Sequence, residues 1–142
     1  MKKTLISLLA ATMLLTGSTT LLSAAQGKNQ TKPFLIQGKL PHLTMMVKIL
    51  WDDEDLALTP KQQEELIIIR KHTMGSAKAL KIKIIKLETQ VVKASETGKK
   101  PADMKKMVDE IAALRAQATM IHLECIYNTR AVLSADQLYI VE

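Results

Sequence analysis

Between Thr59 and Val132 the chain has one place where a helix must stop, the turn Gly98-Lys99-Lys100-Pro101. On either side, apolar residues recur at steps that average 3.5 residues, the period of helices packed side by side. The first stripe is Leu66, Thr73, Ala77, Leu80, Ile84, Leu87, Val91 and Ala94. The second is Met104, Met107, Ile111, Leu114, Ala118, Ile121, Cys125, Asn128 and Val132. Two long amphipathic helices joined by so short a turn predict an antiparallel hairpin. The first helix should be about 57 Å long at 1.5 Å per residue, with Gly75-Ser76 as its weakest point.

The helix starts are written in the sequence. In Leu58-Thr59-Pro60-Lys61-Gln62, Thr59 is placed to cap, Pro60 to open the helix and Gln62 to reach back to the cap, which is a capping box. Leu133-Ser134-Ala135-Asp136-Gln137 repeats the pattern with Ser134 as cap, and Leu133 and Leu138 are set as a hydrophobic staple. A short last helix should run from Ala135 towards Val141. A short first helix is expected over Pro41–Trp51, with Leu40, Leu43, Val47 and Leu50 on one face. Asp52-Asp53-Glu54-Asp55 should end it, because acids at a helix C-terminus oppose its dipole. The fold class is therefore all-α, a long hairpin flanked by a short helix at each end. Ile67, Ile68, Ile82, Ile85, Val92, Val108, Met120, Leu123 and Ile126 lie off the stripes. A single hairpin cannot cover them all, so a homodimer is expected.

The first residues read as an export signal. Met1-Lys2-Lys3 is charged, Leu5 to Leu15 is apolar, and Ser23-Ala24-Ala25 offers a small-residue cleavage site. The expected organisation is a signal peptide over 1–25, a flexible arm over 26–39 and a helical domain over 40–142. Of 142 residues, cleavage after Ala25 leaves 117, and the loss of two lysines and no acid lowers the net charge from +6 to +4. That mild basic excess suits acidic partners, anionic surfaces or unfolded chains. Aromatic residues at 3% argue against nucleic acid. Cys125 is the lone cysteine, so no internal disulfide is available and packing must hold the fold.

An exported helical chain with two motifs of the Leu-Thr-x-x-Gln type resembles the Spy/CpxP family of bacterial periplasmic stress proteins, to which the metal-responsive ZraP and CnrX are related. Leu58-Thr59-x-x-Gln62 matches fully and Leu133-Ser134-x-x-Gln137 has Ser for Thr. The resemblance implies a curved antiparallel dimer in the periplasm that binds unfolded or damaged envelope proteins without ATP or any cofactor, or an adaptor that damps a membrane sensor protein. It also implies a second possibility, a metal-responsive sensor or metal-binding protein. The sensing pattern wants two His in the first helix, where this chain has His42 and Met46. It wants His and Met before the second motif, where this chain has Cys125 and Thr129.

The motif residues Leu58, Thr59, Gln62, Leu133, Ser134 and Gln137 are structural, since helix capping accounts for every polar group among them. No paired carboxylates, glycine-rich loop or nucleophile with its base appears in the sequence, so no catalytic residue is assigned and a non-enzymatic protein is expected. Met45, Met46 and Trp51 in the first helix are the client-binding candidates, because methionine makes a soft, adaptable contact surface. His42, Met46, His122 and Cys125 are the metal-ligand candidates, a set better suited to copper(I) than to cobalt or nickel. Lys71, Lys78, Lys81, Lys83, Lys86 and Lys93 give the first long helix a basic coat that favours encounter with acidic or unfolded chains.

Overall fold

The structure, a computed structural model, describes residues 32–142. The expected signal peptide and the first part of the expected arm lie outside the described residues. Among the described residues the chain is all-helical, with four helices in the order α1 (Leu43–Ile49), α2 (Pro60–Glu96), α3 (Pro101–Val132) and α4 (Ala135–Val141).

The two long helices pack together as an antiparallel pair. Gln62 near the start of α2 reaches Val132 at the end of α3, and Glu88 further along α2 meets Arg115 on α3. Every member of the two predicted stripes is buried or half-buried. Ile84 and Ala118 are fully enclosed, and Leu80 and Ala94 nearly so. The α2 terminus is set by Gly98 at φ 75°. The Gly98 N–H donates to the Ser95 carbonyl at 3.0 Å and the Lys99 N–H to the Ala94 carbonyl at 3.1 Å. This crossed pair is the Schellman motif, and its left-handed residue is adopted at least cost by glycine.

At the open end of the hairpin, α1, α4 and the connections between helices close a separate core. Leu43, Val47, Leu56, Leu66, Leu133 and Val141 form it. Leu138, the other half of the staple, packs against the same cluster.

The first helix is shorter than the expected Pro41–Trp51. His42 is its N-cap and makes no side-chain capping bond, and Leu50 is its C-cap. The reason lies in the acidic segment. One Asp53 carboxylate oxygen, Oδ1, accepts from the backbone N–H groups of Asp55 and Leu56, both at 3.0 Å. Such local side-chain bonds compete with helical ones. Ala57 follows in the left-handed region at φ 41° and turns the chain into the Thr59 cap.

The residues before α1 have no helix or strand, yet they lie against α3. Pro33 is buried. The Leu35 N–H donates to Thr119 Oγ1 at 2.8 Å, and Arg115 Nη1 donates to the Lys32 carbonyl at 2.8 Å.

α2 passes through Gly75 without interruption. Space around Gly75 is open, with no neighbouring heavy atom within 4 Å of where a Cβ would stand. Gly75→Ala should therefore raise stability by roughly 0.5–1 kcal/mol through the lower helix cost of alanine. Urea unfolding checks this. A loss of stability instead would mark Gly75 as a point of close approach for another helix.

Candidate functional site

Three features of the structure bear on function. They are the paired motifs, the stacked histidines His42 and His122 between α1 and α3, and the exposed face of α2.

Both capping boxes form as the sequence predicts. Thr59 Oγ1 accepts from the Gln62 N–H at 3.3 Å, and Gln62 Oε1 accepts from the Thr59 N–H at 3.0 Å. Ser134 Oγ accepts from the Gln137 N–H at 3.2 Å, and Gln137 Oε1 accepts from the Ser134 N–H at 3.0 Å. The two boxes also bind each other. Gln62 Nε2 donates to Gln137 Oε1 at 2.8 Å, and Gln137 Nε2 donates to Gln62 Oε1 at 3.2 Å. The second hydrogen of each amide goes to a backbone carbonyl. Gln62 donates to Val132 at 2.9 Å and Gln137 to Leu56 at 2.9 Å. Each amide thus uses two donors and two acceptor sites, its full capacity. The backbone partners also fix which end of each amide is oxygen.

Sequence reasoning found the two boxes and missed the bond between them. One signal was present. A capping box works equally with Glu or Gln at its third position, and this chain has Gln at both. Only an amide can accept from its own cap and also donate to a partner.

The metal-ligand candidates are brought partly together. His42 and His122 stack with ring centroids 4.8 Å apart and planes inclined by 19°. Phe34 also packs on His122, at 5.0 Å. Cys125 is buried, with Sγ 3.8 Å from Thr44 Oγ1, while Met46 is exposed. Thr129 is buried and its hydroxyl donates to the Cys125 carbonyl at 2.7 Å. A metal ion sits in the plane of an imidazole, on the nitrogen lone pair. Two stacked rings direct those lone pairs along near-parallel planes, not to a common point. Among the described residues no three His, Cys, Asp or Glu side chains converge as a ligand set. The arrangement does not fit a closed metal centre.

It does have an electrostatic consequence. His122 is 6% exposed, and its Nδ1 has no hydrogen-bond partner among the described residues. Burial, and then the neighbouring His42, hold its pKa below the ordinary 6.5, with the Pro41 backbone pulling weakly the other way. Phe34, Thr119 and Arg115, which fasten the N-terminal segment around this histidine, had no readable signal in the sequence. Each is an isolated residue with no periodic or capping pattern.

Of the client-binding candidates, Met45 and Met46 are exposed, and Trp51 is half-buried against the open-end core. The larger exposed apolar surface is on α2. Ile67, Met74, Ile82, Ile85 and Val92 are each 41–61% exposed. At 100° per residue they fall within roughly 80° of arc, on a face separate from Leu66, Leu80 and Ile84. Lys71 and Lys78 lie among them and are also exposed.

Comparison with known protein families, curated proteins and solved structures finds no match to this chain.

The lowered pKa of His122 sets a pH dependence. The unfolded chain binds a proton at His122 more readily than the folded one, so this contribution to stability is complete above the unfolded value of 6.5. It falls as the pH drops below that value. Urea midpoints measured from about pH 8 down to about pH 5 should decline, and His122→Phe, which keeps a ring in the stack, should flatten the decline. An identical slope in His122→Phe would contradict the assignment.

Proposed function

We propose that this protein is an ATP-independent capture protein of the periplasm that holds unfolded or damaged envelope proteins, or an envelope-stress adaptor built on the same surface. The observation behind the reading is the second apolar stripe of α2, Ile67, Met74, Ile82, Ile85 and Val92, exposed beside Lys71 and Lys78. A protein with nothing to bind gains nothing from a long solvent-facing row of large apolar side chains. Mixed with lysines, such a row suits chains that expose apolar segments and carry varied charge. Lysines speed encounter, and apolar contact retains what has been captured.

The resemblance of the two Leu-Thr/Ser-x-x-Gln motifs to the Spy/CpxP family points the same way and adds the periplasmic setting. A homodimer belongs to the same reading, with a second copy covering part of the exposed apolar surface. The metal-responsive alternative has less support, because His42 and His122 are stacked and, among the described residues, no third His, Cys, Asp or Glu joins them. The reading is non-enzymatic. Its chemistry is surface contact alone.

The test is light scattering from several unrelated unfolding proteins, with and without stoichiometric amounts of this protein and without nucleotide. Aggregation of most of the panel should be delayed. The double substitution Ile82→Asp with Ile85→Asp should abolish most of the delay and leave the circular dichroism spectrum unchanged, since both side chains are exposed. Added salt should slow capture more than it loosens the complex. Absence of protection across the panel would contradict the chaperone reading and favour the adaptor.

A further inference from the structure

The molecule has a groove at the edge of the proposed capture surface, with which it shares Ile67. It lies between α1 and the first third of α2 and encloses about 440 Å³, within the size range of small-molecule sites. Val47 and Leu66, both almost fully buried, line it together with half-buried Trp51 and exposed Ile67. Its charged lining residues are Lys48 and Arg70, and none of its lining residues is acidic. Arg70 Nη1 donates to the Thr44 carbonyl at 3.3 Å, which holds the guanidinium beside the groove. Among the described residues neither cation has a carboxylate within ion-pair distance.

We propose that this groove binds a single-chain anionic amphiphile such as a long-chain carboxylate, its hydrocarbon tail against Trp51 and Ile67 over the buried Val47 and Leu66, and its acid group at Lys48 and Arg70. The walls decide the class of ligand. Both are helices, and helical backbone groups are bonded within the helix. An extended peptide carries an amide at every residue, and each would lose water here without gaining a partner. A ligand with all its polarity at one end has no such cost. The unpaired cations select a negative head, and arginine in particular holds carboxylates in a two-pronged geometry. A neutral or cationic head of the same tail length gains neither interaction.

Trp51 is the only tryptophan and lines the groove, so its emission reports a ligand bound there. The experiment titrates the purified protein with dodecanoate below its micellar concentration. In parallel runs it uses dodecyl maltoside, dodecyltrimethylammonium and phosphatidylglycerol vesicles. Dodecanoate should give a saturable blue shift of Trp51 emission at one ligand per chain, at least about tenfold tighter than either other head group. Arg70→Gln should weaken it by about tenfold. Lys48→Gln should also weaken it, and because Lys48 is exposed this second variant stands even if Arg70→Gln disturbs the fold. Lys106→Gln, exposed on α3 and remote from the groove, should change nothing.

Equal affinity for the three head groups would overturn the proposal in favour of unspecific apolar contact. A response to vesicles without one to free dodecanoate would overturn it in favour of a membrane surface. Dodecanoate without effect, together with Ile67→Asp converting a dimer to a monomer in sedimentation, would make the groove an interface between copies.

Discussion

The reciprocal bond between the Gln62 and Gln137 side-chain amides is the constraint on which the rest of the fold depends. A helix hairpin is held at its turn by the chain itself, but its open end is free to splay. Here that end is tied by two amides, each of which also caps a helix. Through them the start of α2, the end of α3, the start of α4 and the Leu56 carbonyl meet at one point. Because all hydrogen-bonding groups of both amides are used, the network carries no desolvation debt of the kind that makes partly satisfied buried polar groups destabilising. The apolar cluster of Leu43, Val47, Leu56, Leu66, Leu133 and Val141 closes beside it. Leu56 joins the two, with its side chain in the core and its carbonyl in the amide network.

This concentration of the core at one end has a consequence for the other. Away from the open end, α2 packs only against α3 among the described residues, while α3 also carries the N-terminal segment. Each buries one stripe, and the half-buried pair of Glu88 and Arg115, 2.5 Å apart, adds a polar contact along the way. Nothing among the described residues covers the opposite face of α2, so its second row of apolar side chains remains in solvent. On α3 the corresponding space is partly filled. The N-terminal segment and His42 lie over Thr119 and His122, which explains why these residues off the main stripe are buried. The difference between the two long helices is thus one of cover, and it leaves the lysine-bearing helix as the available surface.

Much of this was legible in the sequence because the helix ends carry chemistry that acts locally. Pro60, Pro101, Gly98 and the Thr59 and Ser134 caps set boundaries that depend on neighbours three or four residues away. α2 begins at Pro60 and α4 at Ala135, where the two capping motifs place them, and the turn from Gly98 to Pro101 separates α2 from α3. The buried stripes followed from periodicity for the same reason. What failed to show depends on residues distant in sequence. Gln62 and Gln137 are 75 positions apart, and their pairing follows only once the hairpin has brought the motifs side by side. The shortened α1 shows the limit of local reading as well. The acidic run was expected to end the helix by opposing its dipole, but Asp53 also captures two backbone N–H groups and so fixes a turn there. Of the candidate site, exposure of Ile67, Ile68, Ile82 and Ile85 on α2 was foreseen, whereas Ile126, expected with them, is half-buried against the open-end core. The histidine stack and the groove beside Trp51 were not foreseen, since both are made by α1 folding back onto distant parts of the long helices.

The pairing of Gln62 with Gln137 is tested most directly by the stability of Gln137→Glu in urea at neutral pH. Glutamate serves a capping box as well as glutamine does, so the substitution leaves the local motif intact. It removes both hydrogens that Gln137 Nε2 gives to Leu56 and Gln62 and sets a carboxylate against two acceptors. If the amide pair ties the hairpin, stability should fall by about 2 kcal/mol or more, the cost of leaving buried acceptors without donors. Stability within about 0.5 kcal/mol of the unsubstituted protein, the range of an ordinary surface change, would show that the two motifs act only as separate helix caps.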